Sequence, residues 1–152
     1  MLESMLGPDV MKKIMAKLAA LICVILAWIG TIMVMMTSFV GKTIDLDGGG
    51  TTSIVMINHA HLWPMLIGFF CAGAALVAGG KKTKINLSYV VFLASLWVML
   101  NTIMGWVAGP TLVDAGLAEA VVPLMSPVAV IGGFLGILGG IVGFMGAGKY
   151  MS

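Results

Sequence analysis

The chain has 152 residues, 61 % of them hydrophobic and only 9 % charged, with a formal net charge of +2. Soluble domains carry about one quarter charged residues, so little of this chain is left for one, and so small a charge offers nothing to nucleic acid. All eight basic residues are lysine, which excludes arginine forks on phosphate or carboxylate.

In chain order, a short tail leads into a first apolar stretch over residues 14–40. It is longer than the apolar core of a signal peptide, and no small-residue cleavage site follows it, so it is expected to stay as a helix. Three more apolar stretches cover residues 62–80, 85–109 and 124–147. About 20 mostly apolar residues are enough for a helix to cross the ~30 Å hydrocarbon layer. The expected fold is an all-α integral membrane protein. It would be a single domain of four transmembrane helices arranged as two antiparallel hairpins.

The connections alternate in charge. Lys12 and Lys13 precede the first stretch and Lys17 stands in its opening turn, Lys81, Lys82 and Lys84 separate the second from the third, and Lys149 follows the fourth. The other two connections hold Lys42 with Asp45 and Asp47, and Asp114 with Glu119. By the positive-inside rule, both termini and the Lys81–Lys84 turn are expected in the cytoplasm of a multi-pass cell-membrane protein. The first outer connection contains Gly48, Gly49 and Gly50, which break regular structure. The segment TTSIVMI after them reads either as an extended piece or as an early helical turn. The second outer connection, starting at Pro110, has the pattern of a short amphipathic helix over residues 112–121.

A shift of 68 residues lays Lys13 on Lys81, Gly41 on Gly109, Gly68 on Gly136 and Lys81 on Lys149. A parallel internal duplication is one reading of these matches. Chance likeness between apolar, glycine-rich segments is the other.

Small residues indicate where helices approach. The fourth stretch carries Gly132, Gly136 and Gly140 at intervals of four, with Gly139 and Gly143 beside them. The second carries Gly68, Ala72, Ala75 and Gly79. Such stripes let helix backbones come close in lipid. The fourth helix is therefore expected to pack on the second or on a neighbouring subunit. Asn101, the costliest polar group within a span, should face another helix. Trp63 and Trp106 suit an aromatic belt, whereas Trp28 and Trp97 lie deeper and face protein or acyl chains.

Chemistry-bearing side chains gather in one place. The segment MINHAHLWPM holds Met56, both histidines of the chain, His59 and His61, and Met65. Pro64 suits a first helical turn, which puts Asn58 or His59 near the cap of the second helix. Imidazole and thioether are ligands for copper, and imidazole for zinc or iron. Asp45 or Asp47 would supply a third ligand to a copper or other metal site. The alternative is that both histidines hydrogen-bond to loop carbonyls or a partner, with no cofactor at all. HAHLW also resembles the histidine segment of small relatives of the haem-copper oxidase core subunit. That resemblance implies haem ligation, but it covers about five residues, and the further histidines such a site needs are missing from this chain.

No Asp, Glu, Lys or Arg stands near the centre of any stretch, where such residues mark ion and proton pathways. The layout resembles the proteolipids of rotary ATPases but lacks their intramembrane carboxylate. No nucleophile–base pair and no phosphate loop occurs. The expected function is a non-catalytic membrane subunit that packs with other integral membrane subunits, in a respiratory or other redox complex. Two alternatives are a small channel or carrier built from copies of the chain for an uncharged solute, and an extracytoplasmic metal site at His59 and His61 serving a redox partner.

Overall fold

The computed structural model describes residues 4, 5, 7–114 and 126–151. Its elements in order are helix α1 (Pro8–Thr37), strands β1 (Phe39–Asp45) and β2 (Thr51–Ile57), and helices α2 (His59–Val77), α3 (Lys81–Asp114) and α4 (Pro127–Tyr150). All four helices are long and apolar enough to cross a membrane. The expected amphipathic helix at 112–121 falls mostly on residues 115–125, outside the described residues. Its first residues belong to α3, which continues through Pro110 to Asp114.

Local chemistry sets the helix ends. Proline occupies the first turn of α1 and of α4, where its missing N–H costs nothing. At the other end of α1, the hydroxyls of Thr37 and Ser38 both donate to the carbonyl of Val34, at 2.9 and 2.8 Å. The helix therefore stops before Phe39 and Val40, and those apolar residues enter a strand.

The first connection is a two-stranded antiparallel ribbon, with Phe39 opposite Ile57 and Asp45 opposite Thr51. TTSIVMI is thus extended, and an otherwise helical protein carries a β element. Gly48, Gly49 and Gly50 have φ of 102°, 90° and 108°, a region that costs other L-residues roughly 1–2 kcal/mol each. The Asn58 N–H donates to the Ser38 carbonyl at 2.7 Å and closes the base of the ribbon on the bundle. Replacing all three glycines by alanine should fray the ribbon and leave the helices intact. Hydrogen exchange would show lost protection confined to residues 39–57; protection unchanged there would refute this reading of the turn.

Helix α2 differs from expectation in an instructive way. It begins at His59, so Pro64 lies inside it and not in the first turn. An internal proline leaves the carbonyl four residues earlier without its helical partner. That carbonyl is Ala60's, and the Trp97 indole N–H of α3 donates to it at 3.2 Å. Trp28 of α1 donates to the Phe69 carbonyl of α2 at 3.1 Å, while its ring stacks on Phe69 at 4.6 Å. The two deep tryptophans thus bind neighbouring helix backbone.

At its far end α2 stops at Val77, and the ammonium of Lys84 donates to the Ala75 and Leu76 carbonyls at 2.6 and 3.3 Å. Those carbonyls have no intrahelical partner at a C-terminus. One of the lysines on which the expected orientation rests therefore also caps a helix.

The helices close into a ring in which each contacts the next and α4 returns to α1; α2 and α4, across the ring, barely touch. The expected pairing of the fourth helix with the second is therefore replaced by packing on α1 and α3. Residues at increasing positions of α1 meet decreasing positions of α4: Ala19 faces Gly146, Cys23 faces Gly139 and Gly30 faces Gly132. The α4 glycines divide between two partners at intervals of seven. Gly132, Gly139 and Gly146 lie against α1, whereas Gly133, Gly136, Gly140 and Gly143 lie against α3, Gly143 also meeting Cys23 of α1.

The buried stripe of α3 runs Lys84, Ser88, Val91, Ser95, Val98 and Thr102, and of these Ser88 and Ser95, with Phe92 and Met99 beside them, meet the α4 glycines. The alternating steps of four and three are those of a left-handed coiled coil. Ser88 and Ser95 occupy the notches left by Gly143 and Gly136. A larger side chain on either helix would hold the backbones apart.

Candidate functional site

The ribbon end of the bundle carries the histidine segment. Residues two apart on a helix diverge by about 200°, and α2 separates its histidines accordingly. His59 is exposed, and its Nδ1 accepts the Trp63 indole N–H at 2.9 Å, the rings lying nearly parallel. His61 is fully buried.

The His61 Nε2 lies 3.4 Å from the Thr102 hydroxyl of α3. Thr102 donates its own proton to the Val98 carbonyl at 2.9 Å. The hydroxyl oxygen is thus free to accept, which assigns the imidazole proton to Nε2 and leaves Nδ1 as an acceptor. Among the described residues, Nδ1 has no partner, and neither does the buried amide Nδ2 of Asn58. One atom accepts and the other donates, three residues apart at the start of one helix.

The surroundings of His61 are otherwise self-satisfied. Thr31 donates to the Ala27 carbonyl at 2.8 Å, with the Met65 carbonyl 3.4 Å away. Ser38 and Thr102 likewise bond to carbonyls of their own helices. Hydroxyls that return to the preceding turn can be buried without a partner elsewhere. Met65 is 1 % exposed and packs with Val34 and Val98.

The candidate metal ligands do not gather. His59 points to the surface and His61 to the interior. Asp45 ends β1 and Asp47 lies in the turn beyond it, both exposed, at the tip of a seven-residue strand that spans roughly 20 Å. Met56 belongs to β2, and Met65 is enclosed one turn past His61. Among the described residues no three His, Cys, Asp or Glu side chains come together.

The candidate packing residues are placed individually. A methyl on Gly68 would meet Ala94 at 3.7 Å, so Gly68 faces α3. Ala72 and Ala75 are buried, Ala72 in a cluster with Cys23, Val24, Ala27 and Val91. Gly79 has open space around it, being part of the α2–α3 turn. Asn101 is half-buried on α3.

Sequence reasoning passed over Ser88 and the structural use of Trp97 and Lys84. The heptad spacing of Ser88, Ser95 and Thr102 was the available signal for the first. The bonds made by Trp97 and Lys84 had no local signal, because each receiving carbonyl lies on another helix.

No family model, curated protein or solved structure matches this chain.

Proposed function

We propose that the protein is a non-catalytic, multi-pass subunit of a larger cell-membrane complex, with other integral membrane subunits as partners and a respiratory or other redox assembly as its setting. In this reading the spans form two antiparallel hairpins, and the lysine-rich end with both termini is cytoplasmic. The ribbon would then project on the opposite side.

The ribbon is the observation that carries the reading. It is a sheet of two strands only, with Leu46 and Val55 exposed. Two strands alone are marginal in water, and free strand edges are templates for pairing with another chain. A subunit partner that covers this ribbon would stabilise it and hide its apolar side chains. The interior adds support, because its polar groups serve helix packing: Ser88 and Ser95 fill glycine notches, and Thr31, Ser38 and Thr102 bond to their own helices. A homo-oligomeric channel would use such groups to line a path instead.

Mild-detergent extraction of the native membrane, followed by mass measurement of the intact particle, tests the proposal. Other membrane proteins should co-purify in fixed ratio, and the triple glycine-to-alanine variant of the turn should lose them. A discrete particle containing only this chain would sink the reading.

A further inference from the structure

The lysine end carries a second feature, on the outside of the bundle. At this end helices α1 and α4 meet where Ala19 faces Gly146. Two small residues in contact leave a shallow floor, and larger side chains rise on either side of it. The result is a groove with Leu18 and Ile22 on one wall and Ile141, Val142 and Met145 on the other. Leu18, Ile22 and Met145 are 45, 36 and 60 % exposed, so the groove opens to the side, where acyl chains lie if these helices span a membrane.

The groove leads into a more polar recess. Met15, Lys149 and Tyr150 line both, and Pro8, Met11 and Lys12 complete the recess. Each cavity holds about 440 Å³, within the usual range for small-molecule sites. Lys149 stands 5.3 Å from the centre of the Tyr150 ring, and Lys13 and Asp9 flank the recess beyond Lys12. Among the described residues lining these recesses, Asp9 is the one acid beside Lys12, Lys13 and Lys149.

We propose that this continuous groove and recess bind one anionic phospholipid, its acyl chain between α1 and α4 and its phosphate between Lys12 and Lys149. Lysine meets phosphate as a compact point charge on a stem long enough to reach the headgroup layer. Basic recesses between transmembrane helices select anionic headgroups in this way. The apolar groove alone would take any lipid; its continuity with the two lysines makes the site selective. The inference does not depend on the assembly proposed above.

Native mass spectrometry tests it on the full chain, released from nanodiscs of equal parts phosphatidylglycerol and phosphatidylcholine. One phosphatidylglycerol should remain bound, preferred over phosphatidylcholine about tenfold. Lys12→Gln with Lys149→Gln should abolish the preference, while Lys81→Gln with Lys82→Gln, at the same end but outside the groove, should keep it. Equal loss in both double variants would reduce the effect to general surface charge and overturn the site. Displacement of the lipid by millimolar glycerol phosphate would show a free-phosphate site with no use for the groove, and would also overturn it. Unchanged elution of both double variants on size exclusion confirms that they are folded.

Discussion

Gly140→Ala is expected to lower the melting temperature of the detergent-solubilised protein more than any other single added methyl discussed here. A Cβ at Gly140 would lie 2.7 Å from the Phe92 nitrogen and 2.8 Å from its Cα. These are backbone atoms of α3, so no rotamer change relieves the clash and the helices must separate. Overpacking of this kind costs about 3 kcal/mol, against which alanine returns about 1 kcal/mol of helix propensity.

Gly148→Ala is the matched control. It lies eight residues on, in the same helix, with nothing within 4 Å of the new methyl. It should melt at or slightly above the parent temperature. Gly68→Ala, with ordinary contact at 3.7 Å, should be close to neutral. Melting followed by size-exclusion recovery checks all three. Equal melting of Gly140→Ala and the parent would show that α3 and α4 do not meet as described.

The second large effect separates two residues that look alike in the sequence. His61→Ala should cost about 2 kcal/mol or more, because it empties a fully buried site and removes the α2–α3 contact to Thr102. His59→Ala should stay within about 0.5 kcal/mol, as an exposed change does, although Trp63 loses its hydrogen-bond acceptor. His61→Leu is a sharper probe. It fills much of the volume and removes the unpartnered Nδ1, whose burial costs about 1–3 kcal/mol. It should therefore melt well above His61→Ala. If His59→Ala proves the more damaging of the two alanine variants, the assignment of faces on α2 is wrong. Metal analysis on the same preparations bears on the metal alternative: a metal held jointly by the two histidines would be lost in both alanine variants, and the divergence of the side chains predicts equal content in all.

Several features were readable from residues alone, and others were not, for identifiable reasons. The number of helices long and apolar enough to cross a membrane followed from the length of the apolar runs, since a crossing helix needs about 20 such residues. Glycine at 132, 136, 139, 140 and 143 announced close packing. The interval of four suggested one stripe and one partner; in the fold the same residues serve two helices at an interval of seven. Pro64 read as a helix start, since proline is most comfortable there. The helix does start at the expected cap, Asn58, but with His59 as its first residue Pro64 lies inside it, and Trp97 from α3 supplies the donor that Ala60 would otherwise lack. The extended or helical character of residues 51–57 was undecidable locally, because β-branched residues fit a strand and an early helical turn alike.

Composition, run length and the placement of lysines thus determine by themselves that this chain has four helices long and apolar enough to cross a membrane, and where its small residues lie. Those properties are one-dimensional: the bilayer reads length and polarity along the chain. Which helix each glycine meets, which histidine is sealed and which is exposed, and which carbonyls Trp28, Trp97 and Lys84 complete are decided only when the four helices close into a ring. Each depends on a backbone far away in sequence, and helical geometry then turns neighbours such as His59 and His61 to opposite sides.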